Sequence, residues 1–222
     1  MEINKYIDHT VLKPDAVTSD IEKICREAIE YNFKAVCINA YYVPLAVKLL
    51  KDKDPLVCTV VGFPLGASPT ATKIKEANDA LIAGADEIDM VINIGALKDE
   101  DFDYVYEDIN ALSELCHKHS KILKVIIETC LLSNDQIVKV CELAKKAKVD
   151  FVKTSTGFSS GGATVEHVKL MKKTVGVGIM VKASGGVRDQ ETAMAMIEAG
   201  ASRIGASSGI EICKGLKSDS NY

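Results

Sequence analysis

The chain has 222 residues, 47% of them hydrophobic and 26% charged, the profile of a globular protein long enough to bury one sizeable core. A net charge of -4 with no basic stripe argues against a nucleic-acid role, and no apolar run approaches the roughly 20 residues of a membrane helix. Met1-Glu2-Ile3-Asn4-Lys5 carries no signal-peptide core, and seven cysteines without a Cys-x-x-Cys motif fit a reducing cytoplasm better than a disulfide scaffold or a zinc site.

Short β-rich runs alternate with longer amphipathic stretches. Strands are expected at 6–10, 35–39, 57–62, 87–93, 124–129, 151–155, 179–184 and 203–206. The first intervening helix, 19–31, repeats apolar residues at Ile21, Ile24, Cys25, Ala28 and Ile29, with Thr18 or Ser19 as cap and Glu22 placed for a capping box. Helices are also expected at 70–83, 101–117, 134–146, 164–174 and 189–199. Gly84, Gly176 and Gly200 stand where three of them should stop. Repeated alternation implies parallel strands with right-handed crossovers, and eight such units close into a (β/α)8 barrel, here one domain over 1–222. An open doubly wound sheet would carry a glycine fingerprint after its first strand, and none is present. The tail from about residue 216 is expected to be mobile.

Two lysines interrupt strand-like runs: Lys153 in Phe151-Val152-Lys153-Thr154-Ser155 and Lys182 in Met180-Val181-Lys182-Ala183-Ser184. Lysine is rarely buried unless it is paired or used. The two lie one strand–helix unit apart, so their strands should be neighbours, about 4.8 Å apart. Two ammonium groups at about 4 Å repel by about 4 kcal/mol at an effective dielectric of 20, on the order of three pKa units. One amine would then be neutral near pH 7 and able to form a Schiff base with a carbonyl. In the run 87–93, Glu87, Asp89, Val91 and Asn93 share one face and Ile88, Met90 and Ile92 the other. The apolar face should meet the helices, which turns Asp89 inward with the lysines as a candidate acid–base. The plain alternative is that Asp89 is a counter-ion, and that the lysines form buried ion pairs with Glu87, Asp89 or Glu128. The residues alone do not say which lysine attacks.

Small-residue runs follow the last three strands: Thr156-Gly157-Phe158-Ser159-Ser160-Gly161-Gly162, Ser184-Gly185-Gly186-Val187-Arg188 and Gly205-Ala206-Ser207-Ser208-Gly209. Barrels often bind phosphate with the loops after strands seven and eight, where glycines let backbone N–H groups approach the oxygens. His117, His119 and His167 are expected to face solvent, and His9 either lines the site or packs in the core. No clustered metal ligands are apparent, which disfavours a metal-dependent reaction. Lys145-Lys146 and Lys172-Lys173 read as solvated helix faces.

Along nearly its whole length the chain resembles the deoxyribose-phosphate aldolase family. The matching segments are Ile7-Asp8-His9-Thr10, Val36-Cys37-Ile38-Asn39, Val61-Gly62-Phe63-Pro64-Leu65-Gly66, Glu87 through Asn93, Phe151 through Phe158, and Val181 through Gly186. The resemblance implies a cofactor-free and metal-free class I aldolase of deoxynucleoside catabolism. Its reaction is the reversible cleavage of 2-deoxy-D-ribose 5-phosphate to acetaldehyde and D-glyceraldehyde 3-phosphate. It implies Lys153 as the Schiff-base lysine, Lys182 as the residue that lowers its pKa, and Asp89 as proton donor and acceptor. Thr156, Gly157, Gly185, Gly186, Gly205, Ser207 and Ser208 are implied to hold substrate and phosphate, and Asp8, Cys37 and Tyr222 are further candidates. Phe158 stands where some members place a lysine, and a homodimer is the implied assembly. The rival readings are a transaldolase-like Schiff-base barrel, separated by activity on fructose 6-phosphate, and a non-catalytic phosphosugar-binding barrel, separated by binding without a covalent adduct.

Overall fold

The computed structural model describes residues 2–218. Eight strands form: β1 (Ile7–Val11), β2 (Ala35–Ile38), β3 (Leu56–Val61), β4 (Glu87–Val91), β5 (Ile122–Ile126), β6 (Phe151–Lys153), β7 (Met180–Ser184) and β8 (Arg203–Ala206). They pair in chain order as a closed parallel barrel, with β8 against β1. Helices α1 (Thr18–Glu30), α2 (Val43–Leu49), α3 (Thr70–Ile82), α4 (Ile94–Lys98), α5 (Phe102–Lys118), α6 (Asn134–Lys146), α7 (Val165–Val175), α8 (Gln190–Glu198) and α9 (Gly209–Lys214) surround it. The expected (β/α)8 architecture is thus the observed one.

Boundaries move for local reasons. β4 stops at Val91 because Asn93 turns to cap α4, its Oδ1 accepting the Ala96 N–H at 3.1 Å. β5 begins two residues earlier than expected, since the Ile122 N–H already reaches the Asp86 carbonyl at 3.3 Å, and it ends before the left-handed Glu128. The cap of α1 differs from expectation. Val17 is the cap residue, and Asp20 accepts the Val17 N–H at 2.9 Å, so neither Thr18, Ser19 nor Glu22 serves. Helices α2, α4 and α9, of seven residues or fewer, carry too few turns for a periodic signal. Gly84 and Gly200 follow their helices at φ 103° and 112°, backbone that a side chain strains.

Alternation along the strands creates two separate apolar clusters. Ile88 and Met90 of β4 join the large cluster packed between sheet and helices, while Ala35, Cys37, Cys58 and Val60 form a small one with Leu12. Each fully buried aliphatic side chain in the large cluster contributes roughly 1.5–3 kcal/mol, which anchors the barrel around its charged interior. Lys172, expected in solvent, is half-buried and donates to the Gly176 and Ile179 carbonyls at 2.9 and 3.1 Å, closing the end of α7. Among the described residues no helix is long and apolar enough to cross a membrane.

Candidate active site

Lys153 and Lys182 are register partners on β6 and β7, and Asp89 and Lys124 are register partners on β4 and β5. All four side chains point into the barrel, and each residue is at most 2% exposed. Asp89 Oδ2 accepts from Lys153 Nζ and from Lys182 Nζ, each at 2.8 Å. Asp89 Oδ1 accepts from Lys124 Nζ at 2.8 Å and from the Cys58 thiol at 3.1 Å. Lys124 also meets Glu87 at 2.6 Å, and Arg203 donates to Glu87 at 2.5 Å and to Asp8 at 2.6 Å. Lys182 Nζ lies 2.6 Å from the other oxygen of Asp8, an ion contact rather than an aligned hydrogen bond. Lys124, Lys153, Lys182 and Arg203 therefore face Asp8, Glu87 and Asp89, four cations against three carboxylates.

The network sets the charges of its members. Burial alone would raise the Asp89 carboxyl, but Lys124, Lys153 and Lys182 outweigh it and hold the group well below the usual carboxylate range. Burial likewise opposes ionisation of Asp8, yet Arg203, Lys182 and Lys124 bring it down to about 2. Burial pushes the Lys182 and Lys124 ammonium groups down, and neighbouring carboxylates win, Asp8 and Asp89 for Lys182 and chiefly Asp89 for Lys124. Lys182 is thus a permanent positive charge beside Lys153. Of the carboxylates proposed from sequence as lysine partners, Glu87 and Asp89 pair with lysines, and Glu128 pairs with none among the described residues.

Above this floor opens a pocket lined by Thr10, Leu12, Lys153, Thr156, Gly157, Ser184, Gly185, Gly186, Val187, Gly205, Ala206 and Ser207. The three small-residue runs therefore converge on one mouth. Gly185 and Gly186 have φ 81° and 79°, and a Cβ on Gly205 would stand 3.0 Å from Ser184 Cβ and 3.1 Å from Lys182 Cε. Ser208 departs from expectation: it is buried, with its hydroxyl donated to the Val187 carbonyl at 3.3 Å, so it braces the loop from behind. Phe158 packs its ring edge-on against Phe63, with centroids 5.2 Å apart. Asp8 and Cys37 lie fully buried beneath the pocket, and Tyr222 lies outside the described residues.

Two expectations need correction. Cys37, Cys58 and Asp89 bring potential metal-ligand atoms within 4.8 Å of one another, a cluster invisible in the sequence because β2, β3 and β4 supply one residue each. Three lysine ammonium groups already occupy the Asp89 oxygens, which ill suits them to a cation. His167 is half-buried, with an Nδ1 that has no hydrogen-bond partner among the described residues, whereas His117 and His119 are exposed. His9 is 3% exposed with Nε2 at 2.7 Å from Glu27, and it lines a neighbouring pocket that shares Thr10 and Ser207 with this one.

The sequence model of the DeoC/LacD family aldolases matches residues 3–215. The chain belongs to this aldolase family. It is 59% identical over 221 residues to the deoxyribose-phosphate aldolase of Clostridium perfringens (strain SM101, type A), covering 100% of this chain and 98% of that protein. Among solved structures, the aldolase QR15 superposes with a TM-score of 0.90 at 45% identity, over 96% of this chain and 94% of that one. The deoxyribose phosphate aldolase of Aeropyrum pernix, described as a unique tetrameric structure, gives 0.90 at 31% identity over 96% and 89%.

In this aldolase, sequence reading missed Lys124, Arg203 and Cys58 as members of the charged interior. Lys124 and Arg203 carry the same signal as Lys153, a cation on the inward face of a strand, but each stands at the first position of its expected strand, where alternation gives no facing. Arg188 stands in the loop between β7 and α8. It follows the Gly185-Gly186 turn half-buried, with a buried Nε that has no hydrogen-bond partner among the described residues.

Proposed function

We propose that this chain is a class I deoxyribose-phosphate aldolase, cleaving 2-deoxy-D-ribose 5-phosphate reversibly to acetaldehyde and D-glyceraldehyde 3-phosphate. The observation that carries the reading is the shared oxygen of Asp89, 2.8 Å from both Lys153 and Lys182 at the floor of a glycine-lined pocket. Releasing one proton balances the interior charges. Lys153 is the group placed to release it, because its one carboxylate is shared with two other lysines and it alone of the cations lines the pocket.

The neutral Lys153 amine attacks the sugar's C1 aldehyde, and loss of water gives the protonated imine. A base removes the proton from the C3 hydroxyl, the C2–C3 bond breaks, and its electron pair flows into the iminium to form an enamine. Glyceraldehyde 3-phosphate leaves, the enamine is protonated at C2, and water hydrolyses the imine to acetaldehyde and free Lys153. Asp89, held between Lys153 and Lys182, is the group assigned these proton transfers, through water where the distance requires it. The iminium accepts the electrons itself, so the route needs neither metal nor cofactor. Phosphate is assigned to the Gly185–Gly186 and Gly205–Ser207 turns, with Thr156 and Gly157 opposite and Ser208 as the brace. Arg188 supplies the positive charge that Phe158 does not. Asp8 keeps Lys182 in place, and Cys37 and Tyr222 stay candidates without an assigned step. The homodimer and the cytoplasmic location belong to the same proposal, the latter supported by thiols that are all free among the described residues.

Borohydride added with acetaldehyde should trap a reduced adduct on Lys153, located by peptide mass spectrometry. An adduct on another residue, or none, defeats the proposal.

A further inference from the structure

β5 leads into an unusual turn. Glu128 has φ 54° and ψ 64°, the left-handed region. Among the described residues five other non-glycine residues, Asn32, Asp52, Glu100, Ser120 and Lys148, also have positive φ, and all five are exposed. Glu128 is 2% exposed. Strain at a buried position persists only where surrounding structure over-determines it.

Its carboxylate is also unusual. Among the described residues no cation lies within ion-pair distance, and a buried carboxylate is costly unless its oxygens are hydrogen-bonded. Both oxygens accept the Thr156 N–H at 3.3 Å, Oε2 accepts the Thr156 hydroxyl, and the Cys130 thiol lies 3.9 Å from Oε1. The Thr156 hydroxyl in turn accepts the Phe158 N–H at 3.0 Å. Its proton is committed to Glu128, so it has none to offer a ligand while Glu128 is ionised.

The chain that follows is pinned at its far end as well. The Ala163 N–H donates to the Ser184 and Gly185 carbonyls at 3.1 and 3.0 Å. A Cβ on Gly162 would stand 2.1 Å from the Gly185 carbonyl oxygen, and one on Gly161 would stand 2.9 Å from Cys130 Cβ. The loop after β6 is thus fastened to the turn after β5 at one end and to the turn after β7 at the other. Thr156 and Gly157 lie at the first fastening and line the pocket.

We propose that Glu128 is a positioning residue for substrate selection: its carboxylate holds the Thr156–Phe158 backbone in the shape that receives the phosphorylated end of the sugar. It acts through Thr156 and not on the amine chemistry of Lys153. The choice of substrate rests on the aldolase reading.

The test is Glu128→Gln, which keeps the volume but leaves one carbonyl acceptor for two Thr156 donors. The KM for 2-deoxyribose 5-phosphate should rise about tenfold, equivalent to about 1.4 kcal/mol. kcat/KM for unphosphorylated 2-deoxyribose should change less than about twofold, and borohydride trapping of acetaldehyde on Lys153 should keep its rate. Thr156→Val removes the hydroxyl half without touching the left-handed residue and should reproduce the KM rise. The double variant should add little to either single change. Equal losses on both sugars, slowed trapping, an unchanged KM or additive effects each overturn the proposal. Failure of the unsubstituted protein to trap acetaldehyde overturns the aldolase reading instead, and the two results are read separately.

Discussion

Lys153 and Lys182 stand opposite each other in the register of β6 and β7, and one oxygen of Asp89 lies 2.8 Å from both ammonium nitrogens. The two positive charges are therefore not simply crowded together. They share a counter-ion, and Lys182 has a second one in Asp8 while Lys153 has no second one among the described residues. In the proposed mechanism Lys182 is the fixed charge and Lys153 the amine that gives up its proton.

Replacing Lys182 with leucine removes that fixed charge. Lys153 then has the Asp89 oxygen to itself and keeps its proton more firmly. We expect kcat/KM for 2-deoxyribose 5-phosphate to fall about 100-fold and the acidic limb of its pH profile to move to higher pH. A profile that falls without moving would show that Lys182 serves geometry alone.

Asp89→Asn leaves Lys124, Lys153 and Lys182 facing a neutral amide whose oxygen accepts from fewer of them. Turnover should drop by about 10²–10⁴-fold, the usual range for a lost acid–base group. Lys153→Ala should cost at least about 10³-fold and abolish borohydride trapping. Steady-state rates with the two variants side by side check both, and an Asp89→Asn enzyme of ordinary activity would reduce Asp89 to a counter-ion.

Asp8 gives a pH dependence with a definite sign. Its folded carboxyl titrates at about 2, against roughly 3.9 in an unfolded chain. A depressed carboxyl contributes stability that is fully present above the unfolded value and is lost as pH falls through the folded one. The window runs from about pH 4 down to about pH 2, and the contribution is roughly 2–3 kcal/mol. Asp8→Asn should lower Tm at neutral pH, and the gap from the parent protein should narrow across that window in thermal melts followed by circular dichroism.

Arg188 is expected to meet the phosphate. Arg188→Ala should raise KM for the phosphorylated sugar about tenfold and leave kcat/KM for unphosphorylated 2-deoxyribose within about twofold. Equal losses on the two sugars would place Arg188 in the framework of the loop instead. A Gly205→Ala change should be worse for both sugars, because its Cβ stands 3.1 Å from the stem of Lys182.

Much was legible before any fold was known, because it depends on short-range periodicity. Alternation along 87–93 turned Asp89 inward, and the spacing between Lys153 and Lys182 made their strands neighbours, as the register shows. The lysines' roles come from the family resemblance and not from the pattern of residues. Short helices such as α4 escaped, since one turn carries no period, and so did the αL turn at Glu128, since a glutamate gives no sign of positive φ.

Chain-local chemistry determined which residues face inward and which loops are small enough to admit a ligand, because a strand's two faces and a glycine's freedom are properties of a few adjacent residues. Barrel closure decided the rest. It set Asp89 among three lysines drawn from three different strands, gave Lys182 a second carboxylate from β1, and fastened Thr156 to a carboxylate 28 positions away. Charges interact through space within a few ångströms, and residues that distant in the chain acquire such distances only when the sheet closes on itself.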